Sequence, residues 1–179
     1  MWTVTLDDLE AIAIGAGILG TGGGGNPYLG KIRMAQLLKQ GYSVQVISLD
    51  EVADEALVCS VGGMGAPTVG VEKISRGDES KRAVEALEKY VGKSIDAIIS
   101  AEIGGANSIA PLEAGALTNK PVIDADAMGR AFPEMQMSTH FIAGVSCTPG
   151  AMVDEKGNCI VLGHMTDSFA LERFARDLC

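Results

Sequence analysis

The stretch Ile95-Asp96-Ala97-Ile98-Ile99-Ser100-Ala101-Glu102-Ile103-Gly104-Gly105-Ala106-Asn107 decides how the rest of the chain is read. Its apolar run, Ile95 to Ser100, has the pattern of a strand buried on both faces, where alternation disappears because neither face meets water. A loop with a carboxylate, two adjacent glycines and an amide follows at once, and then a helical segment over Ser108–Leu117. Strand, loop, helix is the repeating unit of a parallel α/β sheet. Ala56–Val61 and Pro121–Ile123 are further buried strands by the same pattern, Tyr42–Ser48 is an alternating one, and Cys159–Leu162 a later one. Helices are expected over Leu6–Leu19, where Thr5-Leu6-Asp7-Asp8 has the spacing of a capping box, and from Pro27 to Leu38, with Asn26 as cap and Gly41 as stop. Two more are expected over Asp78–Tyr90, and over Asp167–Leu178 with Asp167 or Ser168 as cap. The reading is one α/β domain over residues 1–179: a mostly parallel sheet with flanking helices and Gly-rich loops at the carboxyl edge of the strands.

Composition agrees with a single core. Of 179 residues, 47% are apolar and 21% charged, which excludes a disordered or low-complexity chain. With one Trp, three Tyr and four Phe, the core must come from aliphatic residues and the eight Met. Those Met and the many small residues are compatible with an oligomer interface that nothing in the sequence locates. A net charge of −9 argues against nucleic acid or an anionic membrane as partner. The apolar run Ala11–Leu19 is too short to span a bilayer, and the first residues carry acids where a secretory signal carries bases. Cys59, Cys147, Cys159 and Cys179 lie far apart without CxxC spacing, as free thiols in a reducing compartment do. The expectation is a soluble, cytoplasmic domain.

Four loops carry the chemistry-bearing residues: Gly20–Tyr28, Val61–Pro67, Ala101–Asn107 and Asp124–Arg130. The last three each leave the carboxyl end of an expected strand, the edge where open parallel sheets bind ligands. Provided the sheet is parallel, Glu102, Asn107, Asp124, Asp126, Arg130 and Glu134 converge there. Asp124 and Asp126, with Glu102 and Glu134, suit a hard divalent cation or a general base. The alternative is that these acids cap the following helix or pair with Arg130 or Lys73. Gly23, Gly24, Gly25 and Asn26 can present backbone N–H groups and a helix start to an anion, though the Gly-Lys-Ser/Thr ending of a P-loop is missing; the alternative is a tight helix–helix turn.

Gly15-Ala16-Gly17-Ile18-Leu19-Gly20 matches the dinucleotide-binding pattern, but that site needs a strand before it, and a capping box stands there instead. Asp50 also lies farther on than the usual gap of about 20 residues. His140 and His164 have no paired spacing for zinc. Cys147 lies in a loop with no His beside it in sequence, and Cys59 sits in an apolar strand.

Taken together, Gly20-Thr21-Gly22-Gly23-Gly24-Gly25-Asn26-Pro27-Tyr28, Gly62-Gly63-Met64-Gly65-Ala66-Pro67-Thr68, Glu102-x-Gly104-Gly105-x-Asn107 and Asp124-x-Asp126-x-x-Gly129-Arg130-Ala131-x-Pro133-Glu134 resemble the S-methyl thiohydantoin desulfurase family, whose members are associated with hydantoinase and oxoprolinase proteins. The resemblance covers nearly the whole chain and implies the N-terminal domain of a longer, two-domain protein. It implies a hydrolase for a small five-membered ring: water adds at the carbon bearing the methylthio group, and methanethiol leaves. Under it, Asp124 or Asp126 is the base or a divalent-metal ligand, and Glu102 and Asn107 orient the ring. Gly23, Gly24, Gly25, Asn26, Gly63 and Gly65 line the substrate, and Arg130 or Lys73 holds a substrate carboxylate. Two other readings stay open: a non-catalytic ligand-binding or regulatory subunit of a hydantoinase or oxoprolinase system, and a nucleotide-binding domain.

Overall fold

Parallel neighbours in a sheet require crossover connections, so their helices land on the sheet faces. The computed structural model, which describes residues 1–179 apart from the side chains of Pro67 and Val71, shows this arrangement. β2 (Gln45–Ile47), β3 (Val58–Val61), β4 (Ala97–Ser100) and β5 (Val122–Asp126) are parallel, and β1 (Trp2–Thr3) adds an antiparallel edge, in the order β1-β2-β5-β4-β3. The expected parallel sheet is therefore present, and its carboxyl edge is a real place.

One face of the sheet is packed by helices. α5 (Ala110–Thr118) lies on β4 and touches both α2 (Pro27–Lys39) and α4 (Glu79–Val91), while α1 (Asp8–Gly20) packs on α2. Pro111 to Ala116 are all buried, so α5 is the central helix, and Glu113 is the one ionisable side chain it takes inside. Met34, Ile98 and Ile109 are fully buried between these helices and the sheet. Each such side chain contributes roughly 1.5–3 kcal/mol by leaving water. On the opposite face Ala97, Ile99 and Ile123 form a smaller cluster with Ile47 and Val52.

The helix ends follow the expected chemistry in most places. Asn26 accepts the Tyr28 N–H at 2.9 Å and Pro27 opens α2. At α1, Asp8 reaches back to the Thr5 N–H at 2.8 Å, half of a capping box, but the cap position is Asp7 and its side chain makes no capping bond. Asp167 accepts the Ala170 N–H at 2.8 Å and starts α7 (Ser168–Leu178).

Several elements depart from the sequence reading. β5 runs on through Asp124 and Asp126, which a loop was expected to hold, because Asp126 pairs with Ser100 after a register shift. α3 (Pro67–Glu72) opens inside the expected glycine loop, and α6 (Thr139–Ile142) is a single turn. β7 (Cys159–Leu162) is not part of the main sheet; it forms an antiparallel hairpin with β6 (Gly150–Val153), packed on α4.

Candidate functional site at the carboxyl edge of the sheet

The loop after β4 is shaped first by Ser100, whose buried hydroxyl donates to the Glu102 carbonyl at 2.7 Å and the Asn107 carbonyl at 3.1 Å. That turns the Glu102 carboxylate back inside, where it is 8% exposed. One of its oxygens accepts the Asn107 side-chain N–H at 2.6 Å and the other accepts the backbone N–H of Phe132 at 2.8 Å. Asn107 in turn clasps the loop after β3: its Oδ1 accepts the Gly63 N–H at 2.7 Å and its Nδ2 donates to the Gly63 carbonyl at 3.2 Å. Three loops, each leaving a different parallel strand, are tied through two side chains.

The glycine loop between α1 and α2 is the fourth partner. The carbonyls of Gly24 and Gly25 accept the N–H groups of Asn107 and Ala106 at 3.1 and 3.2 Å. Glycine is required here on two counts. Gly24 has φ +72°, and a Cβ on it would collide with the Gly104 carbonyl; Gly105 has φ +62°, and a Cβ on it would lie 2.5 Å from the Gly24 carbonyl carbon. Gly20 also sits against the Gly105 backbone, so part of the Gly15–Gly20 pattern is helix-packing chemistry inside α1. The strand–turn–helix geometry of a dinucleotide site is not formed there.

The two aspartates differ in what they hold. Asp126 Oδ2 accepts three backbone N–H groups, from Ile103 at 2.8 Å, Met128 at 3.1 Å and Gly129 at 2.7 Å, and so joins the β4 and β5 loops. It caps a turn rather than a helix. Asp124 is exposed on β5, in no salt bridge. Arg130 donates to the Thr21 hydroxyl at 3.0 Å and stacks over the Phe132 ring at 5.0 Å, which brings a cation to the glycine loop. Glu134 bonds Gln136 instead of facing the aspartates.

Other expected residues stand apart. Lys73 pairs with Glu155 of the β6–β7 turn at 3.5 Å. Gly65 is exposed with open space around it, and Asn26 is spent on capping α2. Among the described residues no three His, Cys, Asp or Glu side chains gather as a metal cage. Asp124 and Asp126 supply two carboxylates, one of them with an oxygen that accepts three N–H groups.

Sequence reasoning missed Ser100, Thr21 and the Phe132 N–H. Ser100 left a signal, a hydroxyl closing an otherwise apolar strand; a backbone donor 30 residues beyond its carboxylate leaves none. Cys59 behaves as a core thiol, pushed up to about 11 by burial and the nearby Glu88 carboxylate.

Together these features define an α/β protein whose site-forming loops are knotted at the carboxyl edge of a parallel sheet. Residues 7–164 match the model of the S-Me-THD-like, N-terminal domain family, and the chain belongs to that family. A crystal structure of a protein from Chromobacterium violaceum is similar at 27% identity and a TM-score of 0.81, over 99% of this chain and 50% of that one. The chain thus spans about half the length of that solved relative. No functionally curated protein matches it.

Proposed function

We propose that this domain carries the hydrolytic centre of a desulfurase acting on S-methyl thiohydantoin and related hydantoin-like rings. The observation that supports this best is the junction itself: the four motif loops meet through Glu102, Asn107 and Gly24, and Asp124 stands exposed on β5, the strand that leads into one of them. A knot of backbone hydrogen bonds is what a positioned site needs, because it fixes groups that cannot afterwards drift.

In this reading Asp124 takes a proton from water as its oxygen attacks the ring carbon bearing the methylthio group, and the electrons of the ring C=N bond move to nitrogen, which takes up that proton. The carbon–sulfur bond then breaks as the added hydroxyl gives up its own proton, the thiolate takes that proton and leaves as methanethiol, and the carbon becomes the second carbonyl of a hydantoin. Asp126 Oδ1, which none of those three N–H groups uses, is a second acceptor in this reading. Glu102 and Asn107 have their polar atoms taken up by the protein, so their task is to position the loops rather than to touch the ring. Arg130, not Lys73, holds a substrate carboxylate.

Two shallow hollows of the surface lie along Ile47, Val52 and Ala97 and between Pro133, Glu134 and Arg176, and neither takes in Asp124. A ring on the carboxyl edge therefore needs cover. We assign that cover to a second domain of the kind the longer relative has room for. Among the described residues no helix is long and apolar enough to cross a membrane.

The engagement of Glu102 and Asn107 with the protein favours one alternative, a ligand-binding subunit of a hydantoinase or oxoprolinase system. Thermal unfolding with hydantoin and S-methyl thiohydantoin acids, ATP and NAD separates the readings. The desulfurase reading expects a rise in Tm with the ring compounds and methanethiol release from the S-methyl substrate. Stabilisation without release favours the subunit; a rise with ATP or NAD alone removes both in favour of a nucleotide site.

A further inference from the structure

Glu113 lies outside the junction just described and has no part in the proposed chemistry, yet it is the one ionisable group taken into the central helix. It is 6% exposed at the crossing of α2 and α5. The crossing is close: a Cβ on Gly30 of α2 would stand 3.1 Å from the Ile109 Cβ and 3.4 Å from Glu113 Oε1. Its hydrogen-bond partner is Arg33 of α2, whose Nε approaches the two carboxylate oxygens at 3.0 and 3.3 Å. Arg33 is part-exposed, so the cation can turn to water if the carboxylate loses its charge.

The two helices that this pair joins continue straight into the loops of the site. α2 begins directly after Gly22–Asn26, and α5 follows directly on the Gly105–Ser108 turn that receives the Gly24 and Gly25 carbonyls. We propose that Glu113, at its crossing with Arg33, is a proton-operated clamp: protonated, it lets α2 close on α5 and seats the glycine loop; ionised, its buried charge, only partly met by the half-exposed Arg33, loosens that crossing.

Two charged groups bear on Glu113 from the elements packed against α5, Arg33 on α2 and Glu79 on α4, and the strands beneath it contribute none. Burial dominates and pushes the carboxyl up to about 7, with Glu79 adding to the rise and Arg33 opposing it. The direction of the stability effect follows. Between 4.5, the ordinary value, and about 7, the folded chain holds a proton that the unfolded chain has lost. The contribution is therefore complete below the lower value and disappears as pH rises through the upper one. A shift of that size corresponds to a change of roughly 300-fold in the folding constant.

The test is amide NMR of the 179-residue chain from pH 5 to 9, with Glu113→Gln and Arg33→Met beside the wild type. The clamp predicts that the amides of Gly22–Asn26 and Gly105–Asn107 shift together with a midpoint near 7. Glu113→Gln abolishes that titration, and Arg33→Met moves the midpoint upward. Urea unfolding should show the wild type losing stability relative to Glu113→Gln over the same range. Loop amides that stay flat, or that titrate unchanged in Glu113→Gln, overturn the proposal; so does a midpoint that Arg33→Met leaves in place.

Discussion

Replacing Glu102 by Gln tests whether the carboxylate is the fastener of the loops, because the substitution keeps size and shape while changing one acceptor into a donor. The wild-type side chain has two acceptors serving two donors, Asn107 Nδ2 and the Phe132 N–H. Asn107 is not free to adapt: its Oδ1 is held by the Gly63 N–H and its Nδ2 by the Gly63 carbonyl. If the new amide offers its oxygen to Phe132, its NH2 meets the NH2 of Asn107. If it turns round, the Phe132 N–H loses its acceptor. Flipping Asn107 only moves the conflict to Gly63. Every arrangement leaves one buried donor unsatisfied, which costs about 1–3 kcal/mol. At roughly 2–4 °C per kcal/mol for a chain of this size, Tm should fall by about 2–12 °C. Urea denaturation and calorimetry of wild type and Glu102→Gln measure it. A variant within about 0.5 kcal/mol of wild type, the range of an ordinary surface change, refutes the fastening role.

Other substitutions probe separate parts of the account. Gly24→Ala combines a left-handed backbone with a collision against Gly104 and should destabilise by about 2–5 kcal/mol in denaturant unfolding. Gly15→Ala, in a helix with nothing within 4 Å of the added carbon, should instead stabilise by roughly 0.5–1 kcal/mol in the same assay. A loss there would mean that Gly15 approaches something beyond this chain. Arg130→Met should weaken competitive inhibition by hydantoin acids and spare neutral hydantoin, as read by inhibition constants; equal weakening of both removes Arg130 as the carboxylate anchor.

The sheet was largely legible because its strands are local signals. Ala97–Ile99 and Pro121–Ile123 are short apolar runs, and such runs need no knowledge of their partners. β1 was not legible, since its two residues earn their place only by pairing with Gln45 and Val46. β6 was missed because Gly150-Ala151-Met152-Val153 is only four residues long, opens on a glycine after Pro149 and shows no alternation. The convergence of the loops followed from the parallel reading alone. The tasks of the residues in them did not. Glu102 reads as a reactive carboxylate until the Phe132 N–H is placed against it. Lys73 reads as a free cation until the chain brings back Glu155, 82 residues later. Contacts of that kind are made by tertiary structure and leave no periodicity behind.

The central claim is that Asp124 does the chemistry while Glu102 holds the loops. Methanethiol release from S-methyl thiohydantoin by the protein and its Asp124→Asn variant, followed with a thiol reagent, tests it most directly. Asp124 is exposed, so the substitution should leave Tm unchanged while turnover falls by about 10²–10⁴-fold, the usual contribution of a positioned base. An Asp124→Asn protein that folds normally and turns over at the wild-type rate contradicts the account.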